Sequence, residues 1–229
     1  MTRALVIDDE PQIGRALRRS LEADDLVVEL AATGAEALAM AAANPPDIAI
    51  VDLGLPDLDG IDLIGQLRAW SQVAVIVLSG AGGEATKVAA FEAGADDYVT
   101  KPFGLDELRA RVHAVLRRAQ PPPDESRLVF GDLVLDPACQ DVRLHGDPLR
   151  LTRTELALLR ALVDNRGKLL THWWLLDKVW GRGVGEEGRQ YLRVYVRQLR
   201  AKLGDDAHHP TYILTEPGIG YRWIAPPGV

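Results

Sequence analysis

The stretch Ile48-Ala49-Ile50-Val51-Asp52-Leu53-Gly54-Leu55-Pro56-Asp57-Leu58-Asp59-Gly60 decides how the first half of the chain folds. Four consecutive apolar residues, bounded by Pro45-Pro46 and by a turn rich in Gly, Pro and Asp, read as a strand buried on both faces of a parallel sheet. Asp52 then stands at the strand's C-terminal end, the edge where open α/β sheets bind ligands. Three other apolar runs end in chemistry-bearing residues: Ala4-Leu5-Val6-Ile7 in Asp8-Asp9, Val73 to Leu78 in Ser79, and Tyr98-Val99-Thr100 in Lys101-Pro102. A parallel sheet gathers these ends on one edge. Singly, each reads as a helix cap or a surface charge; three carboxylates, a hydroxyl and an ammonium together read as a site.

Acids this close repel one another, which raises their pKa values unless a cation sits among them. Mg²⁺ (or Mn²⁺) fits, since a hard cation takes oxygen ligands from one or two carboxylates and a phosphate. A carboxylate can itself attack phosphorus and form an aspartyl-phosphate. The metal and Lys101 then offset charge on the equatorial oxygens, and Ser79 donates a hydrogen bond to one of them.

In that order and spacing, Asp8-Asp9, Asp52, Ser79, Tyr98 and Lys101-Pro102 resemble the receiver domain of two-component response regulators. The resemblance implies that Asp52 is the phosphoacceptor, with Lys101 and Ser79 assisting, and that Asp8, Asp9, Asp52 and the Gly54 carbonyl hold the Mg²⁺. It also implies a switch made of Ser79 and Tyr98, a cis Lys101-Pro102 bond, and a sensor histidine kinase as phosphoryl donor. Gly80 departs from the Ala or Thr usual after the switch hydroxyl.

The intervening segments fit a flavodoxin-like (βα)5 fold with right-handed crossovers. Helices are expected from Pro11 to Leu21, Ala35 to Ala43, Asp59 to Trp70, Glu84 to Ala93 and Leu105 to Arg118, and a second strand from Leu26 to Leu30. Gly80-Ala81-Gly82-Gly83 matches neither common nucleotide-binding glycine pattern and reads as a loop. An aspartate-nucleophile phosphatase is the rival from another class, but it places its nucleophile in a DxD at the end of the first strand, where this chain has Asp8-Asp9-Glu10. The chain is therefore read as a regulator, not an enzyme.

Composition supports two domains: 229 residues, 47% hydrophobic and 26% charged. No apolar stretch approaches the roughly 20 residues that span a bilayer, no signal-peptide pattern precedes the first strand, and the single Cys139 excludes an internal disulfide, so a cytoplasmic protein is expected. Residues 1–120 carry a net charge of −8 and residues 121–229 a net +1, which makes the second half the better partner for a polyanion. The run Gln120-Pro121-Pro122-Pro123-Asp124-Glu125-Ser126 cannot continue a helix, so the domains are read as 1–120 and 127–229 with a linker at 121–126.

The second half opens with short alternating segments over 127–131, 133–136, 141–145 and 148–151, a small antiparallel sheet. Thr152 and Glu155 form a capping-box pattern ahead of a helix, and a second helix covers about 171–180. In a third, from Glu186 to Leu203, Leu192, Val196, Leu199 and Leu203 form the buried stripe while Arg189, Arg193, Arg197 and Arg200 share an opposite quadrant. Two helices and a Gly-rich hairpin, Tyr212 to Ile224, resemble the winged helix of the OmpR/PhoB family. The resemblance implies an α+β effector domain that binds double-stranded promoter DNA and works with RNA polymerase. Arg189, Arg193, Arg197, Gln198, Arg200 and the wing's Arg222 are the candidate contacts.

Leu53 to Asp57, Leu67 to Ser71, Val179 to Gly181, Tyr191 to Tyr195 and Thr215 to Arg222 are similar to the branch of that family controlling a high-affinity potassium-transport (kdp) operon with a KdpD-like kinase. Family likeness also implies a homodimer on phosphorylation, through Lys87, Val88, Phe91, Asp96, Asp97, Glu107, Arg111 and Arg118, with Val88 and Phe91 as its apolar centre and the Tyr98 ring turning inward as the trigger. The alternative within the family is a regulator of phosphate or envelope genes.

Overall fold

Alternation of strand and helix gives the first unit its architecture. Strands β1 (Arg3–Ile7), β2 (Val27–Ala31), β3 (Ile48–Asp52), β4 (Ala74–Ser79) and β5 (Asp97–Thr100) alternate with helices α1 (Pro11–Glu22), α2 (Gly34–Ala43), α3 (Gly60–Arg68), α4 (Glu84–Glu92) and α5 (Leu105–Arg117). The computed structural model describes residues 2–80, 83–117, 127–136, 141–181 and 188–226, in two compact units, Met1–Arg117 and Arg118–Val229. Neither the 121–126 segment nor Cys139 falls among the described residues.

The first sheet is wholly parallel in the order β2-β1-β3-β4-β5. Every residue of β3 and β4 is buried, as continuous apolar runs covered on both faces require. Ala4, Val6, Ile48, Ile50, Ile76 and Leu78 form one core cluster with Leu17 and Leu21 of α1 and Leu108, Val112 and Val115 of α5. Truncating Ile50 to Ala would leave a cavity there at a cost of about 2–5 kcal/mol. The next turn of chain is tied down by Asp57, whose carboxylate accepts the Gly34 and Ala35 amides at 2.8 and 3.0 Å, and by the Asp59 cap on Ile61 N at 2.8 Å. Gly60 is obligatory: a Cβ there would lie 2.6 Å from the Asp52 carbonyl oxygen, so only glycine lets α3 begin against the end of β3. Helix α3 ends at Arg68, not at Trp70, with Ala69 as its C-cap, and the Arg68 guanidinium reaches Val73 O at 2.5 Å and Asp96 at 2.9 Å.

The second unit holds two antiparallel sheets, β6 (Leu128–Phe130), β7 (Leu133–Asp136), β8 (Asp141–Leu144) and β9 (Asp147–Pro148) in one, and β10 (Leu169–Thr171), β12 (Gly220–Trp223) and β11 (Ile213–Glu216), in that order, in the other. The unit also holds α6 (Arg153–Asp164), α7 (His172–Trp180) and α8 (Gly188–Leu203), and the two sheets meet at Phe130 and Trp223, whose ring centroids are 5.4 Å apart. The capping box at Thr152 and Glu155 forms, and the buried Glu155 carboxylate also accepts Lys202 Nζ of α8 at 2.5 Å. Strand β10 has no counterpart in the sequence reading: three residues are too short for a period, and its role is to pair with β12. That pairing fixes Gly220, whose Cβ would fall 1.9 Å from Leu170 O.

Candidate functional site

Strand register builds the first site. Ile7 pairs with Val51, Asp52 with Leu78, and Ser79 with Thr100, so Asp8, Asp52, Ser79 and Lys101 all emerge on the C-terminal edge. Lys101 Nζ bridges Asp8 Oδ2 and Asp52 Oδ2 at 3.0 Å each and reaches Glu10 Oε1 at 3.5 Å. Asp8, Asp52 and Ser79 are buried, and the Lys101-Pro102 bond is cis. Burial pushes the Asp8 carboxyl above its ordinary range in spite of the Glu10 amide and the Lys101 ammonium beside it. Burial works against the Lys101 charge too, but the hydrogen bonds it donates to Asp52 and Asp8 outweigh it and raise its pKa. One ammonium thus faces carboxylates that it does not fully neutralise.

Asp8, Glu10 and Asp52 each offer a carboxylate oxygen, and the three atoms lie within 4.8 Å of one another. This donor set fits a hard divalent cation. The cluster adds Glu10, which the sequence reading did not name, to Asp8 and Asp52. Glu10 N donates to Asp8 Oδ1 at 2.8 Å, and the backbone is still extended at Glu10, the period-two relation that puts residues 8 and 10 on one side; Asp9 between them is exposed. Period-two spacing after β1 was the signal that could have found Glu10.

The face ascribed to dimerisation is only partly a surface. Phe91 is 1% and Asp96 0% exposed. Asp96 serves the core instead, accepting Val75 N and Arg68 Nη2 at 2.9 Å each. Arg111 already binds Asp97 at 3.2 Å and Glu107 at 2.9 Å within the chain. Lys87 stands 5.8 Å over the Tyr98 ring, Val88 is half-buried, and Arg118 lies outside the described residues. The Tyr98 ring, expected to move inward, is already inside, 6.5 Å from the Phe91 ring, with its hydroxyl buried and without a hydrogen-bond partner among the described residues.

In the second unit α8 presents Arg193 and Arg197 to solvent. They line a groove of about 510 Å³ with Thr215 and Tyr221 of the hairpin. The other candidates sit differently. Arg200 is turned into the fold, its Nη2 donating to Ile213 O at 2.6 Å and Thr215 Oγ1 at 2.8 Å, with Asp205 at 3.6 Å. Asp205 in turn accepts the amides of Thr211, Tyr212 and Ile213, so Arg200 and Asp205 fasten the hairpin to the helix. Arg222 is held by Glu216 at 3.2 Å, Gln198 is half-buried, and the Arg189 guanidinium lies 5.3 Å over the Trp173 ring. A shared helical quadrant could not reveal these local partners, which come from β11, from Asp205 and from α7.

Residues 4–113 match the response regulator receiver domain, and residues 146–223 match the C-terminal domain of transcriptional regulatory proteins. The chain belongs to the OmpR/PhoB family of response regulators. It is 50% identical over 227 residues to the transcriptional regulatory protein KdpE of Mycobacterium tuberculosis, covering 98% of this chain and 100% of that one. To the KDP operon transcriptional regulatory protein KdpE of Escherichia coli it is 45% identical over 225 residues, with 98% and 100% covered. A solved structure of DrrB, a Thermotoga maritima OmpR/PhoB homolog, is similar with a TM-score of 0.54 and 30% identity, covering 98% of this chain and 100% of that one. As an OmpR/PhoB-family response regulator of the KdpE-like kind, the chain is a DNA-binding transcription regulator rather than an enzyme. Among its described residues, no helix is long and apolar enough to cross a membrane.

Proposed function

We propose that Asp52 accepts a phosphoryl group from a KdpD-like sensor histidine kinase and that this controls binding to the promoter of a potassium-transport operon. The observation that carries the reading is the convergence of Asp8, Glu10 and Asp52 on Lys101 at 3.0–3.5 Å, in a chain similar along its length to two KdpE proteins. Asp52 attacks phosphorus in line, the P–N bond of the donor phosphohistidine breaks, and the imidazole leaves with a proton. Lys101 stays with the transferred oxygens, and Ser79 donates its hydroxyl to one of them. When bound by Asp8, Glu10, Asp52 and the Gly54 carbonyl, Mg²⁺ (or Mn²⁺) supplies the positive charge that lets an anionic phosphoryl group approach three carboxylates.

Dimerisation through the α4–β5–α5 face belongs to the same proposal. Because Arg111, Asp97 and Glu107 are already paired in the chain, a two-fold dimer must exchange these contacts for equivalent ones across the axis. Exposed pairs contribute roughly 0–1 kcal/mol each, and with Phe91 inside, Val88 is the apolar centre that remains. The dimer then presents two α8 helices to successive major grooves, in the cytoplasm and beside RNA polymerase. The test is phosphorylation by acetyl phosphate with Mg²⁺: wild type should acquire acid-labile phosphate, and Asp52→Asn, nearly isosteric, should acquire none. Equal labelling of the two would refute the assignment.

A further inference from the structure

Three observations meet at the start of α7. Trp173 is 44% exposed and lies on its second residue, the Arg189 guanidinium is stacked 5.3 Å above that indole, and Ile219 of the hairpin tip, 50% exposed, accepts the His172 amide at 3.0 Å. Arg189 and Arg193 have no ion-pair partner among the described residues, and both depress the neighbouring His172 pKa, after its burial. A lone exposed indole is ordinary; what sets Trp173 apart is the guanidinium stacked on its face, which leaves a cation prearranged at the surface. Arg189 lies over the indole and Arg193 acts on the neighbouring His172, with Asp177 one helical turn further along α7, so positive charge predominates among the described residues at this corner and favours an anionic partner.

In a helix-turn-helix the first helix crosses the nucleic-acid backbone while the N-terminal residues of the second approach the base edges. Trp173 stands at the first of these places and Arg189, in the first turn of α8, at the second. We propose that Trp173 and Arg189 form one composite subsite for the phosphodiester backbone of DNA at the rim of the major groove. The indole holds the guanidinium by a cation–π contact, so that its outer N–H groups meet a phosphate already oriented, and the remaining face of the indole packs on the adjoining deoxyribose. A side chain with two rotatable bonds does this at small entropic cost. Trp173 is thus a positioning residue as well as a contact. The inference rests on the reading of α8 as the DNA-facing helix.

The test uses the full-length chain and a mixed-sequence duplex of about three helical turns, because a backbone contact does not depend on sequence. Anisotropy over a salt series would compare Trp173→Ala, Trp173→Gln, Trp173→Phe, Arg189→Ala and the Trp173→Ala/Arg189→Ala double variant. Each single loss of Trp173 or Arg189 should weaken binding about tenfold, the double variant should be no weaker than Arg189→Ala, and Phe should restore most of the loss. The slope of log affinity against log salt should fall by about 0.9 for Arg189→Ala. Wild-type affinity in both Trp173→Ala and Trp173→Gln, or losses that multiply to about a hundredfold, would overturn the composite site. So would a wild-type dimer seen by sedimentation without DNA that Trp173→Ala abolishes, which would make a second copy the occupant. Arg193→Ala separates the two readings: if it weakens binding while Trp173→Ala does not, the stack alone is wrong, and if it too binds as wild type, the DNA-facing assignment of α8 fails.

Discussion

Replacing Arg200 by Ala should damage the fold of the second unit and leave the choice of DNA sequence alone. From its place in the helical pattern, Arg200 ranks with Arg193 and Arg197 as a base-reading residue, but its Nη2 is spent on Ile213 O and Thr215 Oγ1 at 2.6 and 2.8 Å. A hydrogen bond to a charged donor contributes about 1.5–3 kcal/mol net. Removing one partner of a buried ion pair typically costs about 3–5 kcal/mol, because the other charge is stranded. Here the stranded charge is Asp205, which keeps three backbone amides at 2.7, 2.9 and 3.1 Å, so its anion stays well solvated by the protein. The expected loss is therefore about 2–3 kcal/mol, or a fall of roughly 10 °C in the melting temperature of a unit this size. Urea unfolding followed by tryptophan fluorescence reports on this unit, since Trp173, Trp174, Trp180 and Trp223 all belong to it and only Trp70 does not. Stability within about 0.5 kcal/mol of wild type, together with altered base preference in a selection from random duplexes, would refute the reasoning.

Other expectations follow from the same geometry. Mg²⁺ at about ten times its dissociation constant should stabilise the first unit by about 1.4 kcal/mol, and Asp8→Asn should abolish most of that gain; an unchanged melting shift in the variant would remove Asp8 from the metal site. Hydrogen bonds from Arg109 and then His113 hold the Asp24 carboxyl well below the usual carboxylate range. Its contribution is complete above the unfolded-state pKa, about 3.9, and is lost as pH falls through the lower folded value, so Asp24→Asn should flatten the acid limb of the unfolding curve, and an identical limb would contradict this. Binding of the wild type to duplex DNA should fall steeply with salt, and Arg193→Ala/Arg197→Ala should reduce the slope by about 1.8 if each residue neutralises one phosphate; a flat salt response would exclude α8 as a DNA-binding face.

Much of this molecule can be read from its residues, for reasons that differ between its parts. Short apolar runs such as Ile48 to Val51 and Val75 to Leu78, rich in β-branched residues and bounded by turn residues, favour a strand covered on both faces, and a parallel sheet then brings their acidic and hydroxyl ends together. The helix cap at Thr152 acts within four residues and is equally legible. What escaped the sequence depends on partners far along the chain. Asp96 and Arg111 both look like surface charges, yet one is sealed by Arg68 and the other satisfied by Asp97 and Glu107. Glu10 was hidden by its neighbour, since a run of three acids does not say which two share a side. β10 was hidden by its length, and Arg200 by a helical wheel that shows where a side chain starts but not what β11 offers it.

The central claim is that phosphate on Asp52 governs occupancy of a promoter. It is tested most directly by footprinting the region upstream of a potassium-transport operon with the full-length chain, with and without acetyl phosphate and Mg²⁺, beside Asp52→Asn treated in the same way. A coupling of about 1–3 kcal/mol between the two sites corresponds to half-maximal protection at a roughly 5- to 150-fold lower concentration of the phosphorylated wild type, with no change in the variant. Equal protection by phosphorylated and untreated wild type, or an equal gain in Asp52→Asn, would contradict it.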